Sequence, residues 1–508
     1  MARFKEYDRP QGLFLTVNLE EQLLPGTSEW TLDCLIDKMD MPLFEKNYNN
    51  DETGAKAYPP GVLLKIIIYS CSLGIVSSRP IERARGTNII LRAPAEDAEP
   101  DHDTIATFIS TNNEAASDLF TQVVIQCGEL GLITGEMFAL DGCKLPSNAG
   151  KEWPGKPEDL RKKKADLQKL ADRIIRRHRE PDKSGSAKKK RRPFKKTMGD
   201  DRERRKRRIE RVEKKLERIN KFLETAQPKK GAGGAEIKSN ITDNESAFIM
   251  GPRGYIQGYN GIAAADSGNQ VIIAAEAAGS GPEGNSLPRM LDSLNENMKT
   301  ITGKKEPLKR ALATADTGYF CEDNLREAAG RNIPVLIPDA YFRKRDPCFD
   351  GRKNHASKQY TSKDFIFSRR GNYFTCPAGE KLTRQCGVTV RNTIMPQYKP
   401  HRGVCGNVKK CINARNGKNP RRTLYVKGKP HEENLSERMR NKIDDAAYRE
   451  LYSRRMQIIE PVFSNMTYNK GMNRFTMRTQ IKVNIQWLLY CIVHNIGKCV
   501  RPLELKYG

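Results

Sequence analysis

Residues 255–278 of the chain read YIQGYNGIAAADSGNQVIIAAEAA. Two apolar runs, Tyr255–Ala265 and Gln270–Ala278, flank a turn at Asp266–Asn269. Apolar runs on either side of a polar turn that contains glycine predict two paired β-strands. The segments on both sides of this hairpin also consist of short apolar runs bounded by Gly, Pro, Asn and Asp. We therefore interpret them as elements of the same fold as the hairpin.

Strands and helices are predicted to alternate around the hairpin. Upstream, the run Glu136–Leu140 (EMFAL) predicts a strand that closes at Asp141. Downstream, the predicted elements are a helix at Ser286–Met298, a strand at Arg310–Ala315, a helix near Cys321–Gly330 and a strand at Pro334–Ile337. This alternation predicts one mixed α/β core.

The two ends of the chain are predicted to be helical. In the first 130 residues, Pro59 and Pro60 open a helical segment through residue 84, and Asp103 is the predicted N-cap of a second one. These helices could dock in a DNA groove or simply pack together. The apolar stretches at 61–76 and 481–500 are both interrupted by charged or polar side chains, and the first ten residues are charged, so we predict a cytoplasmic protein without membrane spans.

The positive charge of the chain is concentrated in two segments. The 508 residues carry a formal net charge of +27. Residues 161–230 hold 30 Lys and Arg against 11 Asp and Glu, and residues 341–430 hold 22 against 4, so the rest of the chain is net acidic. Positive fields of this density attract polyanions, of which nucleic acid is the commonest large one, although each segment could also be a solvated face.

The first basic segment has the spacing of a helical hairpin. Leucine and isoleucine recur at steps of three, four and seven in two runs, one from Leu160 to Ile174 and one from Ile209 to Leu223. This is coiled-coil spacing and predicts two antiparallel helices. Their connection is strongly basic, and we predict that it contacts DNA phosphates rather than serving only as a spacer. The basic residues concerned are Lys188, Lys189, Lys190, Arg191, Arg192 and Lys195.

The second basic segment contains four cysteines, Cys376, Cys386, Cys405 and Cys411. Four thiolates could hold a structural Zn²⁺ and order a loop-rich region. The spacing contains no CxxC pair, so four ordinary reduced cysteines are the alternative. The 12 cysteines of the whole chain are too sparse for a secreted disulfide scaffold.

Carboxylates are the most promising catalytic groups. The sequence lacks a phosphate-binding P-loop, HExxH and GxSxG, and it has only six histidines. Asp141 and Asp316 each follow a predicted strand, and Glu460 lies in a predicted helix beside Tyr452, Arg455 and Lys470. Taken singly, each acid could instead be a capping, turn or salt-bridge residue. Together, three carboxylates could hold two Mg²⁺ or Mn²⁺ ions for in-line phosphoryl displacement.

Several ordered motifs resemble a known family. ALDGCKLPSNAG, SNITDNESAF, GYIQGYNGIAAAD, LATADTGYF and YSRRMQIIEPVFSNM are similar, in this order, to bacterial insertion-sequence transposases of the DDE class. PPGVLLKIIIYSCSLGIVSSRPIERA and PDHDTIATF resemble the helical domain that usually precedes the catalytic domain. Related transposases often have a Lys at the position of Thr467, whereas here Lys470 is the next lysine.

The resemblance implies a fold and a division of the chain. It implies an α/β fold with an RNase H-like mixed sheet, whose first acid lies on strand one, whose second follows strand four and whose third lies on a late helix. The predicted domains are an all-α, DNA-binding region at 1–130, a catalytic domain formed by 131–150 with 236–340 and 435–500, a basic hairpin insertion at 151–235 and a basic Cys-containing insertion at 341–434.

The resemblance also implies an activity and partners. Asp141, Asp316 and Glu460 would be the catalytic, metal-binding acids, and Tyr452, Arg455 and Lys470 would contact double-stranded DNA at the transposon ends. The chain would cleave those ends and transfer a strand to target DNA, as a homodimer associated with the bacterial nucleoid. The alternatives are a catalytically inactive DNA-binding relative and an RNase H-like nuclease with another nucleic-acid substrate.

Overall fold

The computed structural model describes most of the chain. The described residues are 18–48, 56–151, 153–179, 198–227, 229–230, 236–251, 254–279, 283–349, 360, 364–368, 370–390, 393–400, 411, 422–426 and 434–507.

The N-terminal region is helical, as predicted. Its helices are α1 (Ser28–Ile36), α2 (Pro42–Glu45), α3 (Pro60–Ser72), α4 (Ser78–Thr87), α5 (Ile89–Arg92), α6 (His102–Thr111) and α7 (Asn113–Glu129). The prediction that Asp103 caps a helix was wrong. Asp101 is the N-cap, because its carboxylate accepts a hydrogen bond from the Thr104 backbone N–H at 2.7 Å, and Asp103 lies within the first turn.

The centre of the molecule is a mixed sheet. Its strands are β1 (Met137–Pro146), β4 (Ala247–Gly251), β5 (Gly254–Asp266), β6 (Ile272–Ala278), β7 (Leu312–Ala315) and β8 (Val335–Leu336). The order across the sheet is β4-β5-β1-β7-β8, and β6 also pairs with β5. Strand β1 is antiparallel to β5 and parallel to β7, and β7 is parallel to β8. This arrangement confirms the predicted RNase H-like mixed sheet and the hairpin of residues 255–278.

Further helices pack around the sheet and complete the core. They are α10 (Leu287–Thr302), α11 (Glu322–Gly330), α12 (Phe342–Arg345), α13 (Leu435–Asp444), α14 (Ala446–Ser453), α15 (Arg455–Ser464) and α16 (Gln480–Tyr507). A short π-helical turn, Asn465–Asn469, extends α15. The predicted helical character of the C-terminal region is confirmed.

Helix α16 joins the N-terminal helices to the sheet. It packs against α1, α3, α6 and α7 on one side and against β6 on the other. Trp487 is fully buried and donates its indole N–H to the Ile262 carbonyl of β5 at 2.9 Å. The opposing residue is Gly261, where any Cβ would lie 2.7 Å from the Trp487 ring. The N-terminal helices therefore share one hydrophobic core with the sheet.

The first basic segment forms two packed helices, α8 (Pro157–Arg179) and α9 (Met198–Thr225), preceded and followed by the short strands β2 (Pro154–Gly155) and β3 (Ser239–Asn240). Lys163 of α8 and Lys215 of α9 both place their ammonium groups over the ring of Trp153, at 4.8 and 5.7 Å from its centroid. Because Lys163 is near the start of α8 and Lys215 near the end of α9, the two helices run antiparallel, as predicted.

The second basic segment contains an antiparallel sheet with its own small core. Its described strands are β9 (Ile366–Ser368), β10 (Tyr373–Thr375), β11 (Lys381–Val390), β12 (Thr393–Pro400) and β13 (Leu424–Tyr425). The sheet order is β13-β12-β11-β10-β9. Phe374, Tyr398 and Leu382 are buried at its centre, separate from the main core. Within the described ranges, no helix is long and apolar enough to cross a membrane.

Candidate active site

Asp141 lies in the middle of β1. The prediction that it stands at a strand end was wrong, because β1 continues to Pro146 and Asp141 pairs with Ala263 of β5. The pairing of β1 with β7, however, stops at Leu140 and Ala315. Asp141 is therefore inside the strand on its β5 side and just beyond the end of the ladder on its β7 side.

Asp316 follows β7 directly. Its backbone stays extended, and its carboxylate accepts a hydrogen bond from the Gly318 N–H at 2.8 Å, which caps a short turn. Since Leu140 and Ala315 are partners in the parallel ladder, Asp141 and Asp316 are the next residues along two adjacent strands. Adjacent strands lie about 4.8 Å apart, so the two acids occupy neighbouring positions at the same edge of the sheet.

Glu460 is carried to the same strand by helix α15. The helix packs against β1 through its apolar face, with Ile459 and Val462 fully buried, and Glu460 lies on the exposed side. The pKa of the Cys143 thiol is raised to about 12, mainly by burial and also by the charges of Asp141 and Glu460. Both carboxylates are thus within electrostatic range of one residue of β1.

Arg455 pairs with Asp141. Its Nη2 lies 2.5 Å from the Asp141 Oδ2, and the two side chains are only 8% and 16% exposed. A guanidinium held at this distance in a nearly dry site favours the ionised carboxylate and fixes its orientation. The pair also joins the first turn of α15 to the centre of β1, so it sets the position of the helix that carries Glu460.

Tyr452 lies beside the two aspartates. Burial raises the pKa of its hydroxyl, the charge of Arg455 lowers it, and the charges of Asp316 and Asp141 raise it. Its ring meets Phe342 of α12 edge to face, with 5.6 Å between the centroids. The structure therefore places Asp141, Asp316, Tyr452 and Arg455 close to one another, and Glu460 lies on the exposed side of the helix that packs against the same strand.

Lys470 lies at the far end of the π-helical turn. Burial lowers the pKa of its ammonium group, whose Nζ is 3.9 Å from the position that a Cβ on Gly497 of α16 would take. Its side chain thus faces α16. Thr467, at the position where relatives have a lysine, donates its hydroxyl to the Phe463 carbonyl at 2.7 Å and stays within its own helix.

The other predicted site residues are the basic residues of the hairpin connection and the four cysteines. Residues 188–192 and 195 of the hairpin connection, and Cys405, lie outside the described residues. Cys376 accepts hydrogen bonds from the backbone N–H groups of Ala378 and Glu380, Cys386 is exposed, and Cys411 is buried in the small core. Among the residues that the structure describes, no three His, Cys, Asp or Glu side chains form a group ready to hold a metal ion. Both the zinc site and the two-ion site stay predictions.

The helix that bears Glu460 is anchored by residues that the sequence analysis did not single out. Gln270, in the turn between β5 and β6, donates its side-chain amide to the Gln457 carbonyl of α15 at 3.0 Å. His494 of α16 contacts the Gln270 carbonyl at 2.9 Å through Nε2 and the Asn465 amide at 3.1 Å through Nδ1. A carbonyl only accepts, so Nε2 carries the proton and Nδ1 accepts from Asn465.

We expect this anchor to make folding sensitive to acid. Burial lowers the pKa of His494 to about 4, an effect opposed by the Gln270 carbonyl and supported by Lys498 and Lys470. Because the folded value lies below the ordinary 6.5, stabilisation by the neutral ring is complete above pH 6.5 and is lost as the pH falls toward 4. Urea unfolding should show a loss of about 2 kcal/mol between pH 7 and pH 5 that disappears in His494→Gln. An equal pH dependence in the variant would contradict this assignment.

Comparison with known protein families gives two matches. Residues 375–500 match the family described as the transposase DDE domain, and residues 17–111 match the family described as a transposase domain, DUF772. The first match contains α15 with Glu460, and the second contains helices α1 to α6. Asp141 and Asp316 lie between the matched ranges. No curated protein matches the chain.

Proposed function

We propose that this chain, which matches two transposase domain families, is an insertion-sequence transposase of the DDE class that cleaves DNA at the ends of its element and joins them to target DNA, with Asp141, Asp316 and Glu460 as the catalytic acids. The observation that carries the proposal is the register of β1 and β7. It makes Asp141 and Asp316 neighbours at one sheet edge, and α15, the helix that bears Glu460, packs against the same strand.

The donor set suits divalent cations. Three carboxylates supply the oxygen ligands that Mg²⁺ and Mn²⁺ prefer, and Arg455 pairs with one of them, Asp141. We propose that Asp141, Asp316 and Glu460 hold two such ions. When bound, the ions would supply activation of the attacking oxygen and stabilisation of the leaving oxygen in phosphoryl displacement.

Arg455 and Tyr452 act on the geometry of the acids. The pairing of Arg455 with Asp141 holds that carboxylate in place against the first turn of α15. Tyr452, held by Phe342 beside both aspartates, offers a hydroxyl that stays protonated because burial raises its pKa. A protonated hydroxyl and a guanidinium are both hydrogen-bond donors, which suits them to DNA phosphate oxygens.

Binding of the DNA would involve the basic parts of the chain. The hairpin α8–α9 and the Cys-containing segment carry most of the excess positive charge, and phosphate contacts of lysine and arginine give strong, salt-sensitive affinity. We propose that the N-terminal helices contribute to binding of the element ends. Two ends must be cut and joined together, so we propose that the chain works as a homodimer. Lys470 stays a proposed DNA contact.

The proposal is tested with the full-length chain and a supercoiled plasmid that carries the DNA flanking its gene. With Mg²⁺ or Mn²⁺ we expect free 3′-hydroxyl ends at the element boundaries and joined products on a sequencing gel, and with EDTA only binding. Tight binding without cleavage in either metal would favour the inactive relative. Cleavage that ignores the element ends, or that prefers an RNA–DNA hybrid, would favour the nuclease.

A further inference from the structure

The strands β4 and β5 present an exposed aromatic surface where they extend beyond the sheet. Tyr255, Met250 and Phe248 lie on one face of this hairpin, because Met250 pairs with Tyr255 and Phe248 is two residues before Met250. Their side chains are 62%, 56% and 37% exposed. We call these three residues the aromatic face. Large apolar side chains that are exposed together, rather than singly, are typical of binding surfaces.

The rings of the aromatic face are already arranged for stacking. Phe248 and Tyr255 lie parallel, with 4.8 Å between the centroids and 2° between the planes. The ammonium group of Lys238 lies 4.6 Å from the Phe248 ring centroid. A parallel aromatic pair beside a lysine combines the two features that bind single-stranded nucleic acid, a surface for base stacking and a cation for the backbone phosphate.

The aromatic face extends from the sheet edge that carries the acids. Strand β5 pairs with β1 from Asp266 to Gly258, and Ala263 is the partner of Asp141. Tyr255 is eight residues further along β5, which at about 3.3 Å per residue places it about 26 Å from the level of Asp141. Within a duplex, each DNA strand rises about 3.4 Å per nucleotide. The distance along the sheet therefore corresponds to about eight nucleotides.

We propose that the aromatic face binds a nucleobase of the DNA strand that passes the acids, about eight nucleotides from the cleavage position, by stacking on Tyr255 and Phe248. The proposal rests on the proposed function for the identity of the ligand as DNA. The local charge of the surface favours this occupant over a second copy of the chain. The Lys238 ammonium group, 4.6 Å from the Phe248 ring centroid, attracts a phosphate backbone, whereas the same face of a second copy would bring another Lys238 against it.

The test uses the full-length chain in EDTA, so that it measures binding and not the reaction. The probe is an oligonucleotide with a duplex element end and a single-stranded extension, carrying the fluorescent base 2-aminopurine at successive positions. We expect quenching centred about eight nucleotides from the cleavage position, because stacking quenches this base. Tyr255→Ala should remove the quenching and weaken binding of the extended probe roughly tenfold, and Phe248→Ala should do the same.

The controls separate ring stacking from unfolding and from the loss of apolar surface. Tyr255→Phe keeps the ring and should bind as the unchanged protein does. Leu505→Ala removes a side chain that is 80% exposed on α16 and should leave binding and quenching unchanged. Lys238→Gln should weaken binding of the extended probe and leave binding of a blunt duplex unchanged.

Each other outcome overturns the inference. Equal quenching and affinity in Tyr255→Ala would show that the aromatic face does not bind DNA. A change of molar mass in Tyr255→Ala with unchanged DNA binding would assign the face to a second copy of the chain. In both cases the blunt duplex still binds, so the proposed function is unaffected. If the unchanged protein binds neither probe, the proposed function fails as well.

Discussion

We expect Asp141→Asn to lower the rates of both end cleavage and strand joining by about 10³-fold, because metal coordination at such a site contributes several kcal/mol to the stabilisation of the transition state. The substitution keeps the size of the side chain and removes the negative charge. Rates are measured on the plasmid substrate with Mg²⁺ under single-turnover conditions. Glu460→Gln should give a loss of similar size, and because Glu460 is exposed, this variant tests the site without disturbing the core.

The matched control for this prediction is Asp323→Asn. Asp323 is 83% exposed on α11, where it pairs with Arg326 at 3.0 Å, and it has no part in the proposed chemistry. Its variant should cut and join DNA at the unchanged rate. Cleavage by Asp141→Asn within a few-fold of the unchanged protein, with DNA binding intact in EDTA, would remove Asp141 from the catalytic site.

Arg455→Met should lower the free energy of unfolding by about 3 kcal/mol in EDTA, because removal of one partner leaves the other charge of a nearly buried pair without its counterion. The double variant Asp141→Asn/Arg455→Met should recover most of this loss, since neither charge remains. Urea unfolding of the four proteins in the cycle gives the coupling energy, which we expect to be about 2 to 3 kcal/mol.

An exposed pair serves as the control cycle. Arg326 and Asp323 lie as close as many buried pairs, but their side chains are 64% and 83% exposed. Solvent screens such pairs, so their coupling energy should stay below about 1 kcal/mol. If the Arg455–Asp141 cycle gave a coupling as small as this, Arg455 would not be the residue that orients Asp141.

Much of the candidate site was predictable from local sequence. Asp316 follows a short apolar run, and the structure places it directly after β7, as expected. The sequence analysis correctly associated Asp141 with strand β1, but Asp141 lies within the strand and not at its end. An apolar run reports which residues are buried, whereas the length of a strand depends on its partners. Strand β5 continues alongside β1 to Pro146, and β7 stops at Ala315.

The anchor of α15 could not be predicted in this way. Gln270, His494 and Asn465 come from a turn, a helix and a π-helical turn, and no periodicity or motif relates them. Polar residues that meet in a core are recognised only once the elements that carry them are packed. The signal available in the sequence was a histidine inside an apolar helix, which can be a ligand, a catalyst or, as here, a hydrogen-bonded core residue.

Local sequence patterns were enough to predict the type and order of most elements, because residues buried on one face of a helix or strand recur with the period of that element. How the elements share a core depends instead on long-range packing. The apolar residues of 61–76 and 481–500 could equally have supported a separate helical domain. Instead α16 lies between the N-terminal helices and the sheet and is apolar on nearly all sides because both surround it. The position of α16 depends on contacts between residues hundreds of positions apart, and local sequence patterns do not predict such contacts.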